Sequence, residues 1–389
     1  MLRPPLAGPP VTASHVFERL VAASDRWRVG DRTFAPEFCI GHTRLLADVG
    51  RYLPRGSDGT IAGWSARLSA MLGGQAFGLV VDDYHVLDTP LWTRLSQFVC
   101  GLYAHTGLPG EQAKAALFLG NYHRTPFGLH RGRSSNFMFV VEGVKRIRAW
   151  PDAFFRGKED LTNRLDYERY NAASVVLQGK PGEVIYWPSP YWHVGEDAGG
   201  LSVAISLALF MEAEPWTDVV LAVQDGLARR LRSRARRAAL GPAATTRSLG
   251  ALRSALADPA LEQMLVAARL RHLTGHGFVR VPPAAPPRRL SDREIVRADA
   301  TALIRWARAG RQAVCSANGL AFVVPFEAGL PRLLDSLSSG RAIRVGELLA
   351  AAQGRTGARR GPRTALRRVL ERLLAFRALV VEPSEDTAG

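Results

Sequence analysis

Cysteine is scarce in this 389-residue chain, which contains only Cys39, Cys100 and Cys315. These residues lie far apart and form neither a CxxC pair nor the spacing of a zinc site. The scarcity argues against a disulfide framework and indicates a reducing compartment. Long apolar runs are also missing, since nowhere do about 18 consecutive apolar residues occur. We therefore predict a cytoplasmic protein that does not enter the membrane.

Lysine is also rare, because the chain has only Lys114, Lys145, Lys158 and Lys180 among its 51 basic residues. The remaining basic residues are arginine, and with 35 acidic residues they give a formal net charge of +16. Such an excess attracts polyanions, which makes RNA, the ribosome or an acidic peptide a candidate partner. The alternative is that these arginines are merely solvated, and composition alone does not decide between the two.

The hydrophobic pattern changes along the chain. Residues 14 to 110 alternate helical periodicity with short strands, whereas from Ala115 short strands are separated by glycine and proline. The candidate strands are "AALFLG", "FMFVVEG", "VKRIRAW", "ASVVLQ", "EVIYWP" and "LSVAISLALF". A charged segment at residues 151 to 172, predicted to be helical, interrupts them. Several short strands joined by turns predict a sandwich or barrel.

The rest of the chain predicts helices and then another folded domain. Residues 216 to 276 have helical periodicity and include the basic segment Arg229 to Arg237, and a proline-rich linker, "VRVPPAAPPRRLSD", follows. From Asp292 we predict a helix, an apolar strand, three further helices and a final strand, an order typical of a winged helix. The predicted domains are therefore residues 1–215, 216–276 and 290–389, and the helices between the outer two would suit a homodimer.

Two histidines lie where predicted strands begin or end. His130 stands in "FGLHRGRSSNFMFVVEGVKR", and His193 follows a proline-containing turn in "GEVIYWPSPYWH". A barrel can point two such imidazoles at one metal, because a facial site for non-haem iron needs two imidazoles and vacant positions opposite them. Each histidine alone could instead be an ordinary structural residue.

These segments, together with the lead-in "FGLVVDDYHVLD", resemble the JmjC and cupin-like iron(II)/2-oxoglutarate oxygenases over residues 75 to 210. With the helical segment and the C-terminal winged helix, the order is similar to that of the ribosomal oxygenases, which hydroxylate side chains of ribosomal proteins. The resemblance implies an α+β fold with a double-stranded β-helix, or cupin/jelly-roll, core. It also implies a non-haem dioxygenase that uses Fe(II) and 2-oxoglutarate on a protein or peptide substrate.

The same resemblance implies roles for individual residues. His130 and His193 match the two iron ligands, and Lys145 matches the lysine that pairs with the distal carboxylate of 2-oxoglutarate. Asn136 and Ser206 fall where polar residues contact that cosubstrate. A lysine inside a barrel requires an anion, in agreement with this role. The alternative for Lys145 is a solvated position, because "VKRIR" alternates charged and apolar residues.

Gly132 departs from the family pattern, which has an aspartate or glutamate there as the third iron ligand. A glycine at this position is similar to the HxG motif of iron/2-oxoglutarate halogenases, in which the vacancy admits chloride. Three hypotheses remain: a hydroxylase, a halogenase, and a catalytically silent cupin scaffold that binds protein or RNA.

Three further residues near the histidines were considered as ligands. His123 could supply a third imidazole, although a surface or turn position is the simpler interpretation. Glu196 and Asp197 follow His193 closely, and we predict that they lie in a solvent-exposed loop.

Overall fold

The computed structural model describes residues 8–125, 127–157, 165–197, 199–211, 259–353 and 360–383. The chain divides into two units, Met1–Glu212 and Ala213–Gly389, and each is treated by itself. No helix within the described residues combines the length and apolarity needed to cross a bilayer.

Three helices precede or separate the first strands of the first unit. They are α1 (Ala13–Arg28), α2 (Ile61–Met71) and α3 (Thr89–Thr106). Each begins after a residue whose side chain accepts a hydrogen bond from the backbone of the first turn, and these caps are Thr12, Thr60 and Asp88. The lead-in therefore combines helices with short strands, as the periodicity predicts.

The strands described in this unit are β1 (Pro36–Ile40), β2 (Thr43–Arg44), β3 (Phe77–Val81), β4 (Gln112–Gly120), β5 (His130–Arg131), β6 (Ser135–Glu142), β7 (Lys145–Trp150), β8 (Val175–Gly179), β9 (Val184–Trp187), β10 (Trp192–Asp197) and β11 (Ser202–Phe210). They form a seven-stranded sheet in the order β2-β1-β3-β4-β11-β6-β9 and a four-stranded sheet in the order β5-β10-β7-β8. Every pairing within these two sheets is antiparallel.

The last eight of these strands form a jelly roll. Strand β7 pairs with β8, β6 with β9, β5 with β10 and β4 with β11, so the pairs are nested like one long hairpin. The nested pairs alternate between the two sheets, which rolls the hairpin into a double-layered structure. This topology is the predicted double-stranded β-helix.

The two sheets pack face to face. One hydrophobic cluster combines Met138, Ile185 and Ala204 of the larger sheet with Ile147 of the smaller one. On the outer face of the larger sheet, Phe98 of α3 packs edge-on against Phe137 and Phe139 of β6. Strand β11 is buried on both faces for this reason, in agreement with its continuous apolar sequence.

The described parts of the segment at residues 151 to 172 cover the outer face of the smaller sheet. They contain two 3₁₀ helices, Asp152–Phe155 and Glu168–Ala173, where a helical insert was predicted. Phe155 and Tyr167 pack there on Trp150 and Val194. Residues with even numbers on β7 and β10 therefore face this cover, and odd-numbered residues face the space between the sheets.

The described elements of the second unit are α4 (Pro259–Thr274), β12 (Ile295–Ala298), β13 (Ile304–Ala309), β14 (Gln312–Ala317), β15 (Leu320–Pro325), α5 (Leu330–Ser338), β16 (Ile343–Arg344), α6 (Val345–Gln353), α7 (Arg360–Ala375) and β17 (Leu379–Glu382). They include two three-stranded sheets, β16-β12-β17 and β13-β14-β15. Helices α5, α6 and α7 share a core with both sheets. The assignment of this unit as a winged helix remains a prediction.

The helix predicted from Asp292 is wrong, because the chain there forms β12, β13 and β14. The physical reason is a hairpin signal in the sequence. Asn318 and Gly319 have φ of 50° and 75° and connect β14 to β15, as an Asn-Gly pair does in a two-residue hairpin turn. The residues before this turn therefore pair as strands β13 and β14 and do not form a helix.

Of the predicted helical domain at residues 216–276, the structure describes residues from 259 onward, and α4 is a helix there as predicted. The basic segment Arg229 to Arg237 lies outside the described residues. The division of the chain into three domains therefore remains a prediction, and the structure itself divides into two compact units.

Candidate functional site

A cavity of about 520 Å³ lies between the two sheets of the jelly roll. Its lining includes all six of the residues singled out from the sequence: His130, Gly132, Asn136, Lys145, His193 and Ser206. The volume is within the range of about 300 to 1,000 Å³ that is usual for small-molecule sites. The structure thus brings together residues that are up to 76 positions apart in the chain.

The two histidines are direct cross-strand partners on β5 and β10. Their ring centroids are 4.2 Å apart. Nδ1 of His130 lies 3.0 Å from the carbonyl oxygen of Gly128, and Nδ1 of His193 lies 3.4 Å from that of Tyr191. Because a carbonyl can only accept, these contacts assign the proton to Nδ1 and the lone pair to Nε2 in both rings. This is the tautomer in which Nε2 can bind a metal.

Burial keeps His193 neutral. Its side chain is 7% exposed, and desolvation, with a smaller contribution from the charge of His130, lowers the pKa of His193 to about 3. A neutral imidazole is the form that coordinates metals, so the ring does not have to lose a proton first.

Gly132 lies against the second histidine. Its N–H donates to the carbonyl of Tyr191 at 3.2 Å, and a Cβ placed on it would be 3.0 Å from Cε1 of His193 and 3.5 Å from Nδ1. A side chain at position 132 would therefore lie against the His193 imidazole, at a distance that requires His193 to move by a few tenths of an ångström. Glycine leaves this space open.

A third protein ligand is not evident among the described residues, where no group of three or more His, Cys, Asp or Glu side chains could hold a metal. His123 is exposed and does not line the cavity. Glu37 and Asp82 also line the cavity but complete no such group, so the candidate metal ligands there are the two imidazoles.

The prediction that Glu196 lies in a solvent-exposed loop is wrong. Glu196 and Asp197 belong to β10, and the Glu196 side chain is buried. It accepts hydrogen bonds from Nε of Arg148 at 2.8 Å and from the Tyr167 hydroxyl at 2.9 Å. The carboxylate faces the outer side of the sheet, three residues along the strand from His193, and so it is directed away from the cavity.

Lys145 is buried on the cavity side of β7, with only 1% of its surface exposed. Its ammonium donates to the hydroxyl of Tyr122 and lies 4.2 Å from the centroid of that ring. The alternative of a solvated lysine is therefore excluded by its position. The odd-numbered positions of "KRIRAW" face inward, and Lys145 is one of them.

The lysine and the histidines lie at different levels of the cavity. His193 pairs with Ala149 of β7, and Lys145 is four residues further along that strand. Four residues of β-strand extend about 13 Å, part of which the four-carbon stem of the lysine spans. The arrangement suits an elongated ligand with a metal-binding end and an anionic end.

Asn136 and Ser206 are both buried on the larger sheet. The amide nitrogen of Asn136 donates to the carbonyl of Ser134 at 2.8 Å and to its hydroxyl at 3.2 Å. This bonding holds the turn after Gly132 and occupies the group that was expected to contact the cosubstrate. Ser206 lies in β11, an interior strand of the larger sheet, and is paired with Ala116 and Met138.

Several polar residues that line the cavity were not identified from the sequence, and Thr125 and Trp187 are among them. Both are buried, and the Thr125 hydroxyl and the Trp187 indole nitrogen have no hydrogen-bond partner among the described residues. Thr125 fits beside β10 because Gly195 has no side chain, since a Cβ there would be 2.9 Å from Cγ2 of Thr125. Counting the period-two alternation of "VIYW" would have placed Trp187 inward.

These observations test whether Fe(II) and 2-oxoglutarate fit the residues present. Two imidazoles with their lone pairs on Nε2 fit two positions of a non-haem iron site, and the space at Gly132 leaves a third for a ligand that the protein does not supply. A buried ammonium and two unpartnered polar groups fit an anionic organic ligand. The cavity therefore fits both groups.

No family model matches the chain, and no curated protein matches it. Among solved structures, the chain is similar to YcfD, a ribosomal oxygenase from Escherichia coli, in complex with cobalt and 2-oxoglutarate, with 13% identity, a TM-score of 0.48, and 96% of this chain and 91% of that chain covered. It is similar to another Escherichia coli YcfD structure with 13% identity, a TM-score of 0.47 and the same coverage.

A mutant of the Bacillus subtilis oxalate decarboxylase OxdC has 13% identity and a TM-score of 0.21, and 37% of this chain and 29% of that chain are covered. At these identities and TM-scores, the comparisons assign no function, and the residues of the cavity carry the proposals below.

Proposed function

We propose that this protein is an Fe(II)- and 2-oxoglutarate-dependent oxygenase that hydroxylates a side chain of a protein or peptide. The observation that carries the proposal is one cavity with a pair of neutral imidazoles and, about four strand residues deeper, a buried lysine. Both features line one space that a metal ion and an anionic organic ligand could fill together.

His130 and His193 would hold the iron through Nε2. The backbone carbonyls of Gly128 and Tyr191 keep each ring in the required tautomer and orientation. When bound, iron and 2-oxoglutarate supply the oxidising chemistry that inserts an oxygen atom into a C–H bond. The protein's own task is to bind both groups and to exclude bulk water from the space between the sheets.

Lys145 would bind the distal carboxylate of the cosubstrate. The hydroxyl and ring of Tyr122 fix the ammonium, which reduces the entropy lost when the anion binds. The Thr125 hydroxyl is the second donor that we assign to this ligand, because it lines the same cavity and has no partner among the described residues.

A protein or peptide substrate is favoured by the residues that both line the cavity and reach the surface. Phe127 is 39% exposed, and Arg131 and Arg133 are also exposed. The two arginines form ion pairs with Asp152 at 2.8 Å and with Glu111 at 3.2 Å. A substrate side chain entering the cavity would bring its backbone against this aromatic and charged rim.

Halogenation is the second candidate, and the absence of a carboxylate at Gly132 favours it. A chloride ion bound there would stand in for the missing carboxylate. A chlorinated product whose yield depends on chloride concentration would identify this reaction, whereas hydroxylation would proceed regardless of halide.

The test is an anaerobic titration with iron(II) and 2-oxoglutarate, followed by the weak visible charge-transfer band of the ternary complex. We expect the band in the wild-type protein and its loss in His130→Ala and His193→Ala. If the wild-type protein takes up no iron, even with 2-oxoglutarate present, both enzymatic hypotheses are wrong. The hypothesis of a catalytically silent scaffold that binds protein or RNA would then remain.

A further inference from the structure

Trp187 lies on the larger sheet and makes a ring contact with His193 on the smaller sheet. It ends β9, is 3% exposed and lines the cavity. Its ring centroid is 5.0 Å from that of His193, with the planes inclined by 50°. The indole therefore reaches across the space between the sheets to one of the two candidate metal ligands.

The indole nitrogen of Trp187 is buried and has no hydrogen-bond partner among the described residues. Two other buried tryptophans of this unit are bonded in this way: Trp64 donates to the carbonyl of Tyr52 at 2.8 Å and Trp150 to that of Tyr170 at 3.0 Å. An indole N–H can only donate, and a buried donor left unsatisfied is unusual in native proteins. Its acceptor is therefore expected to lie outside the described residues, and a ligand in the cavity would supply one.

The neighbours of Trp187 do not provide that acceptor. Its cross-strand partner on β6 is Asn136, whose amide group is bonded to Ser134. Gly132, which lines the same cavity, has no side chain and so offers no side-chain acceptor. Lys145 adds a positive charge to the same cavity, which favours an anionic ligand over a neutral one.

We propose that Trp187 is a specificity-determining residue whose indole N–H donates to an anion held beside His193. The ligand class is a small anion with an exposed acceptor atom, either the carboxylate of an organic acid or a halide. This inference rests on the proposed function, because it concerns the same cavity. It adds a recognition element for the ligand that takes the place of the missing carboxylate.

Indole N–H resonances provide a direct readout, independent of turnover. The chain has eight tryptophans, and Trp187→Phe and Trp150→Phe identify the two relevant signals of a ¹⁵N-labelled, zinc-loaded protein. The protein is titrated with 2-oxoglutarate in one arm and sodium chloride in the other, at constant ionic strength set with a bulky sulfonate. We expect the Trp187 signal to move downfield and to exchange more slowly with water in at least one arm, while that of Trp150 stays in place.

The affinity of the variant supplies the second measurement. Trp187→Phe keeps an aromatic ring and removes the donor, so the anion that shifts the wild-type signal should bind about 10- to 100-fold more weakly, the usual range for a hydrogen bond to a charged group. Trp150→Phe is the matched control, since it removes an indole N–H on the outer face of the jelly roll, and it should bind as the wild type does.

The two arms distinguish the sources of the anion. A response to chloride alone assigns the position to halide, and a response to 2-oxoglutarate alone assigns it to a carboxylate. A Trp187 signal that neither anion moves, with equal 2-oxoglutarate affinity in wild type and Trp187→Phe, would overturn the inference and leave the proposed function intact. If the wild type binds no 2-oxoglutarate, the proposed function fails, and the chloride arm alone decides whether the inference stands.

Discussion

Lys145 shows how one residue defines the chemistry of the cavity. An ammonium with 1% exposure has lost nearly all its hydration, and the Tyr122 hydroxyl and ring are among the groups that contact it instead. A carboxylate brought to this point gains a charge-assisted hydrogen bond in a low-dielectric environment. The position was predictable from sequence, because strand alternation places it inward, whereas the contact with Tyr122 depends on the fold.

Replacing Lys145 with methionine removes the charge and keeps most of the buried stem. We expect 2-oxoglutarate affinity to fall by about 3 to 5 kcal/mol, which is more than a hundredfold, because the distal carboxylate would be left buried and unpaired. Iron or zinc affinity should change little. Isothermal titration calorimetry measures both, and Lys180→Met, at an exposed position, is the control. Unchanged 2-oxoglutarate affinity would remove Lys145 from the site.

Gly132 can be tested with two variants that place the same Cβ beside His193. Gly132→Ala and Gly132→Asp both require the imidazole to shift, because that Cβ lies 3.0 Å from Cε1, but only the aspartate adds a ligand. We expect Gly132→Asp to bind iron(II) more tightly than Gly132→Ala by at least about tenfold, since a carboxylate completes the usual facial set.

The same two variants separate the candidate reactions. Gly132→Asp should retain or raise hydroxylation and suppress any chlorination, because the aspartate fills the space that chloride would need. Equal iron affinity of the two variants would show that position 132 does not face the metal. Product analysis by mass spectrometry, with and without chloride, measures the outcome.

At the scale of elements, the positions of the jelly-roll strands could be predicted from the sequence better than the pairing between them. The short apolar runs separated by glycine and proline predicted β4, β6, β7, β8, β9 and β11 within a few residues. Strand β10 was missed, because the prolines at 188 and 190 and the acidic residues at 196 and 197 are typical of a loop. Its pairing with β7 provides Arg148 for Glu196, a long-range contact that no local pattern contains.

The helix wrongly predicted from Asp292 has a comparable cause. Arginines at regular intervals in "IRWARAGRQ" suggest one polar helical face, but Gly310 has a φ of 61° and turns β13 into β14. Helix α4 then packs on these strands through Val266, Ala267 and Leu270 against Ala309 and Val314. The helices α5 to α7 were predicted because their apolar spacing is regular and their packing partners are close in sequence.

The ion pair between β7 and β10 provides a stability prediction. Arg148 and Glu196 are 2.8 Å apart, and their side chains are 15% and 11% exposed. The Tyr167 hydroxyl donates to the same carboxylate. Burial is the main cause that raises the pKa of this hydroxyl, and the negative charge of Glu196 is the second cause. Glu196→Gln leaves a buried guanidinium without its counter-charge. It should destabilise this sheet by about 2 to 4 kcal/mol.

Hydrogen exchange at β7 and β10 measures that loss locally, because it reports the free energy of opening each strand. The control is Glu168→Gln, which removes an exposed carboxylate 2.7 Å from Arg124. Exposed pairs contribute at most about 1 kcal/mol, so exchange should change much less there. Equal effects of the two variants would contradict the argument that burial makes the Glu196 pair important.

At the scale of the whole molecule, the basic residues behind the net charge of +16 are not equally available to a partner. Several arginines of the second unit are bonded to its own carboxylates, as Arg363 and Arg367 are to Asp292 and Arg297 is to Glu382. Such arginines stabilise the unit and contribute less to an external partner. The six arginines from Arg229 to Arg237 are the densest basic run in the sequence, and we propose them as the contact for a polyanion such as RNA.

This proposal predicts a salt-dependent affinity for single-stranded RNA. Arginine contacts release counterions from phosphates, so the logarithm of the association constant should fall linearly with the logarithm of salt concentration, by about 0.7 per contacted phosphate. Arg229→Gln with Arg230→Gln should reduce that slope by about 1.4 if both contact phosphates.

Arg44→Gln with Arg156→Gln removes the same charge from arginines paired with Glu37 and Asp152, and should leave the slope nearly unchanged. Fluorescence anisotropy from low to high salt measures all three proteins. Equal reductions in the two double variants would attribute binding to net charge and not to the segment, and no binding at low salt would exclude RNA as a partner.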